Sequence, residues 1–240
     1  MAVTPTEFTI MATLRSFLLS ILPSTVAVVR GQTNRVPEPQ GSDFIVAWPT
    51  LRERLATNID TYNDAYFTAS IASTTMTVSQ ILIGTILAGS TVFGSGVATA
   101  TTVVSQLSGL PGLAGTYQVS QSQTLTSSNL SAGTATYQMS TKATFQLDVH
   151  GPNSGDNVQI ISTMFHDDYA DNYFANTGVD VEPLYASDPR QMPFINAEQQ
   201  YEERWVIDLV IETFPIIVFP QQFAGAVNVV VKEVDATYHP

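Results

Sequence analysis

The stretch TVFGSGVATATTVVSQLSGLPGLAGTYQVS, residues 91–120, carries five glycines and no charged side chain, and its reading decides the fold. A Walker loop ends in Gly-Lys-Ser/Thr, yet no lysine occurs between Asp64 and Lys142. The dinucleotide fingerprint also fails. GSTVFGSG (89–96) lacks the GxGxxG spacing, no helical pattern follows it, and no acidic residue stands about 20 positions on to hold a ribose. A membrane-spanning helix needs about 20 predominantly apolar residues, whereas ILIGTILAGSTVFGSGVATATTVV (81–104) is nearly half Gly, Ser and Thr. What remains is period-2 alternation in runs such as TTMTV, ATTVVSQLSG and GTYQVSQS, bounded by Gly and Pro. That pattern argues for short β-strands joined by tight turns.

The stretch sits inside a longer one. After Asp64 no Asp, Glu, Lys or Arg appears until Lys142, so every formal charge lies in the two flanks. So sharp a break at both ends reads as an inserted β-module over residues 67–141, interrupting a discontinuous domain made of residues 1–66 and 142–240. The 240 residues, 44% of them hydrophobic, suffice for a packed core. There is no cysteine, which removes disulfides and thiolate chemistry together. With 21 acidic against 9 basic residues the net charge is −12, which disfavours gripping nucleic acid through its phosphates. The first residues carry Glu7 where a secretory signal carries a basic cluster, and their apolar residues are spaced, so a mature, soluble N-terminus is expected.

The flanks alternate helix and strand patterns. Thr4 is the expected helix cap, Pro5 the first helical position and Glu7 the closing member of a capping box, with Ile10, Met11, Leu14, Phe17, Leu18 and Ile21 recurring at helical spacing up to Pro23. STVAVVRGQ, SDFIVAWPT and RLATNIDTY read as extended segments. In KATFQLDVHG, Phe145, Leu147 and Val149 alternate with polar residues. A second helix is expected from Ser154 or Asp156 through Val158, Ile161, Phe165 and Tyr169 to the glycine stop NTG. In YEERWVIDLVIETFP, Trp205, Ile207, Leu209 and Ile211 face one way and Asp208 and Glu212 the other; AVNVVVKEVDA is the expected last strand. The expected fold class is α+β, two helices packed on a mainly antiparallel sheet, with the small all-β module inserted.

Candidate chemistry is sparse. HDDYADNY (166–173) places Asp167 and Asp171 one helical turn apart beside His166, but adjacent helical residues diverge by about 100°, so a solvated acidic face is the simpler reading. His150 and His239 have no visible acid-base partner. No catalytic, metal or cofactor residues are assigned, and no enzyme is expected.

The flanks carry a resemblance. GQTNRVPEPQGSDFIVAWPT followed by RLATNIDTY resembles the start of the phage neck and tail terminator proteins, in Gly31, Gln32, Asn34, Arg35, Pro37 and Pro39 and then Arg54, Leu55, Thr57 and Asn58. The ending ERWVIDLVIETFPIIVFPQQFAGAVNVVVKEVDA looks like that family's, with Pro220, Gln221, Phe223, Ala224 and Val234-Asp235-Ala236. GSGVATATTVVSQLSG and GTYQVSQSQT resemble the glycine- and threonine-rich β-modules grafted onto many phage virion proteins. The resemblance implies a structural virion protein of the tail and neck, assembled in the host cytoplasm. Its members cap the tail tube and join it to the neck, commonly as a six-membered ring of identical subunits. The implied partners are further copies of itself, the tail tube protein and neck connectors, with DNA passing through unbound and no membrane involved. Asp208 and Glu212 are candidate lumen acids. The alternatives are another virion part (an adaptor, tube or decoration protein) and, more remotely, a metal-dependent hydrolase built around His166.

Overall fold

A computed structural model describes residues 3–32, 39, 42–195 and 201–221. The chain before the charge-free segment forms β1 (Val3–Thr4), α1 (Glu7–Ile21), β2 (Ala27–Arg30), β3 (Phe44–Arg54) and the start of β4 (Ile59–Ile83). Then follow β5 (Thr91–Phe93), β6 (Val103–Gly109), β7 (Gly115–Gln138) and β8 (Thr141–His150). The rest forms α2 (Ser154–Phe165), α3 (Asp168–Ala175), β9 (Val181–Ala186), β10 (Arg190–Gln191), β11 (Phe194–Ile195), β12 (Tyr201–Glu202), β13 (Arg204–Thr213) and β14 (Ile216–Pro220). These elements fall into two compact units, Met1–Asp60 with Tyr137–Ile217 and Thr61–Thr136 with Val218–Pro240.

The expected two-helix α+β fold is corrected by this architecture. Among the described residues the protein is mostly β, 55% strand against 17% helix, with three helices and two six-stranded sheets. Two physical causes account for the difference. The Ser/Thr-rich segment, expected to break into short strands at its glycines, is strand over most of its length, in β4, which runs in from Ile59 and turns back at Ser73, and in the 24-residue β7. The second expected helix is two helices. At the break Asp167 turns its carboxylate onto the backbone N–H of Tyr169 (2.9 Å), starting α3 as a new cap. The new helix has its own phase, so Ala170 and Phe174 are buried while Tyr169, expected on the buried stripe, is 39% exposed.

In the first unit the sheet runs β10-β13-β8-β3-β2, with β9 also on β13. β8 is antiparallel to both neighbours, and β2 lies parallel to β3. Pro49, which has no N–H to give, sits where the register of β3 shifts against β8. One face of this sheet presents Ile45, Ala47, Phe145, Leu147, Val149, Ile207, Leu209 and Ile211 to the helices. α1 answers with Ile10, Leu14, Phe17 and Leu18, at the spacing read from the sequence. Phe17 lies at 5.2–5.8 Å, centroid to centroid, from the rings of Phe165, Tyr173 and Phe174. The cap of α1 is Thr6, whose hydroxyl accepts the N–H of Thr9 at 3.1 Å, and not Thr4, which pairs with Ile216 in the β1–β14 ladder.

The second unit has a separate core of Phe67, Ile71, Met76, Val78, Val92, Tyr117, Val119 and Leu130. Strand β4 reverses at Ser73 (φ 57), which changes its inward residues from odd (Ala65, Phe67, Ala69, Ile71) to even (Met76, Val78). Its two arms lie side by side: Ser79 Oγ donates to the Thr68 carbonyl at 3.2 Å, and a Cβ on Gly84 would fall 1.8 Å from the Asp64 carbonyl oxygen. β5 and β6 both pair with β7. Among the described residues no helix is long and apolar enough to cross a membrane. Truncating the fully buried Phe17 to Ala is expected to cost about 3–5 kcal/mol, seen as a lowered urea midpoint. Phe8→Ala, at a position 74% exposed, should stay within about 0.5 kcal/mol of the parent.

Candidate assembly surface

α1 buries one stripe and leaves another open, on which Phe8, Ala12, Arg15 and Ser16 are exposed. This open stripe runs beside β2, the edge strand of the first unit's sheet. Between them lies a groove of about 270 Å³ lined by Phe8, Met11, Val28, Val29, Ala47 and the two cations Arg15 and Arg30. Arg15 Nε donates to the Val28 carbonyl at 2.8 Å. Arg30 binds the Glu7 carboxylate, and Arg52 approaches its other oxygen at 3.7 Å. Glu7, expected to close a capping box, is thus spent on arginines of two strands.

Of the residues carrying the resemblance, Asn34, Arg35, Pro37, Phe223, Ala224 and Val234-Asp235-Ala236 lie outside the described residues, as do the expected last strand and His239. Gly31 continues the β2 ladder, its N–H donating to the Ala47 carbonyl at 2.9 Å, and a Cβ there would meet Val46 and Trp48 side chains at 2.8 Å. Glycine is needed at that point for close approach rather than for unusual torsion. Gln32 holds φ 57, and Pro39 is half-buried. The structure brings Arg54 and Asn58 together: the guanidinium binds the Asn58 side-chain oxygen and, through Nε, the Ala56 carbonyl at 3.0 Å. This pairing closes the turn between β3 and β4.

The sheet face opposite the helices carries a set of cross-linked polar side chains among apolar ones. Glu53 meets Lys142 at 2.5 Å and, through this bond, raises the lysine above its ordinary pKa. Asp208 has Arg190 at 3.8 Å. Glu212 stands opposite Lys142 in register and accepts the Ser140 hydroxyl. Farther along, Asp148 is buried with Arg204 on one oxygen and Gln146 at 3.0 Å on the other. His150 stacks on Phe44 (4.6 Å between centroids, 6° between planes) and meets Glu202 at 2.9 Å. Asp43 accepts both the backbone N–H and the side-chain amide of Asn153 at 2.9 Å, serving the start of α2 from outside, since Asn153 makes no side-chain cap of its own. Reading the sequence alone misses Asp43, Asp148 and Arg204, because ion pairs and hydrogen bonds more than 50 residues apart leave no local pattern.

His166, the centre of the hydrolase alternative, has both ring nitrogens engaged. Nδ1 faces the Ser162 carbonyl at 2.7 Å, and Nε2 accepts the Ala186 N–H at 3.2 Å. A carbonyl can only accept, so these partners select the neutral Nδ1–H tautomer and give the ring a tethering role. Among the described residues no group of three or more His, Asp or Glu side chains is placed to hold a metal ion.

A family model described as phage neck terminator protein matches residues 111–236, just over half of the chain. The chain belongs to this family, and its role is that of a structural virion protein of the phage tail and neck. The matched span begins inside the charge-free segment and takes in β7 through β14, while Gly31–Pro39 and Arg54–Asn58 lie outside it. No curated protein matches the chain.

Removing one partner of a buried pair strands the other charge. Arg204→Ala is therefore expected to destabilise the fold by about 3–5 kcal/mol, and Asp148→Leu combined with Arg204→Met to recover most of that loss, both read from urea denaturation.

Proposed function

We propose that this protein is the tail terminator of a long-tailed phage: a ring of six identical subunits that caps the tail tube, stops its polymerisation and joins it to the neck connectors. The family match over residues 111–236 carries this reading. The subunit works without cofactor or catalysis, assembles in the host cytoplasm and ends in the virion. DNA passes through the ring without specific binding. The imbalance of 21 acidic against 9 basic residues supports that behaviour, because an acidic wall repels phosphates and gives no counterions to release. Asp208 and Glu212 are proposed to face the lumen. Gly31, Gln32, Asn34, Arg35, Pro37 and Pro39 are proposed to shape the chain for assembly, together with the Arg54–Asn58 turn. In the same reading residues 67–141 are an inserted decoration, carried by a body made of residues 1–66 and 142–240. The two apolar cores support this division, since the first draws no residue from between Ala47 and Ala143.

Native mass spectrometry and electron microscopy of the purified protein should show a closed six-membered ring; a monomer at high concentration would count against the terminator. Duplex DNA should not shift with the ring in gels at low or physiological salt, whereas micromolar, salt-sensitive binding would overturn the repelling channel. Joining Tyr66 to Lys142 through a short Gly/Ser linker should leave a soluble, ring-forming body, and an insoluble product would place the segment in the body's own core.

A further inference from the structure

We propose that neighbouring copies join head to tail through the two opposite edges of the first unit's sheet, the groove beside β2 receiving the acidic β9 edge of the next copy. This rests on the ring reading above and names the surfaces that make it.

The sheet order puts β2 at one edge, and β9 with β10, both on β13, at the other. The balance of exposed charge differs between these edges. Of nine basic residues in the whole sequence, Arg15, Arg30 and Arg52 gather at the β2 edge, where Glu7 is the carboxylate that Arg30 and Arg52 share. On a chain of net charge −12 this is a positive patch. At the far edge Asp180, Glu182 and Asp188 are all exposed, against Arg190 of the adjoining β10, which lies 3.8 Å from Asp208.

The apolar surface of the two edges differs as well. The β2 groove offers Phe8, Met11, Val28 and Val29 between its two arginines. β9 offers Leu184, 40% exposed, between Glu182 and Asp188. An apolar side chain flanked by carboxylates is the complement of an apolar groove rimmed by guanidinium groups.

The backbone directs how the edges meet. Along β2 the N–H groups of Ala27 and Gly31 turn towards β3, bonding the Asp43 and Ala47 carbonyls, so Val28 between them directs its own groups outwards. Arg15 occupies that outward carbonyl. On β9, Pro183 has no N–H to offer. Both edges are thus blunted against a continuous strand ladder, and the contact is made by side chains entering the groove. Two different patches at opposite edges make a heterologous contact, the kind that closes into a ring when the rotation per subunit allows.

The test uses two variants of the full chain, one carrying Arg15→Glu with Arg30→Glu and the other Glu182→Lys with Asp188→Lys. Each alone presents like charges across the contact and should raise the concentration needed for half-assembly at least about tenfold, read by analytical ultracentrifugation. Mixed in equal amounts they present opposite charges at every contact, and native mass spectrometry should show rings with equal numbers of both. A misfolded variant could not be rescued in this way. Rings formed by either variant at the parent's concentration would overturn the inference and leave the ring reading standing. So would a mixture that stays unassembled while both variants keep the parent's circular dichroism. If the parent chain forms no ring at all, the ring reading itself falls, and this contact with it.

Discussion

Strand β8 is the member on which the first unit depends. It pairs along its whole length with β3 on one side and β13 on the other, and its two faces do opposite work. Ala143, Phe145, Leu147 and Val149 are buried in the apolar core under the helices, while Lys142, Gln146, Asp148 and His150 each engage a partner on the other face. Because strand residues alternate strictly, a one-residue slip would turn Asp148 into the apolar core and carry Leu147 out to the polar face, away from the helices. Ion pairs on one face and packing on the other therefore enforce the same register.

That double use of one strand explains what is legible in the sequence. The apolar half of the pattern is plain: the stripe of α1 and the alternations 145-147-149 and 207-209-211 can be read directly because burial repeats with the local period. The polar half reads as a solvent face, yet Val206 and Val210 are buried on it and Asp148 is held by Arg204. Those contacts join residues far apart in the chain, and a single sequence does not announce them.

The fold class escapes the sequence for a related reason. Ser, Thr and Gly runs read as turn signals, but their side chains also fit a strand whose outer face meets water, and β4 turns back at Ser73 rather than at any of the glycines. The break after His166 is hidden because Asp167 suits an exposed helix face as well as a cap; only its bond to Tyr169 decides. For the assembly surface, the arginines are visible singly in the sequence, but their gathering at the β2 edge depends on α1 lying beside that strand.

The charge-free run from residue 65 to residue 141 also has its own response to protons. It contains no Asp, Glu, Lys, Arg or His, so tyrosines are its only titratable side chains. Burial lifts Tyr117 above its ordinary 10.0, which favours the protonated, folded form below that pH and withdraws this support as the pH rises through the raised value. Across the acid and neutral range this run has no proton to take up or release on unfolding. Acid therefore finds nothing to titrate in this run, and strong alkali does.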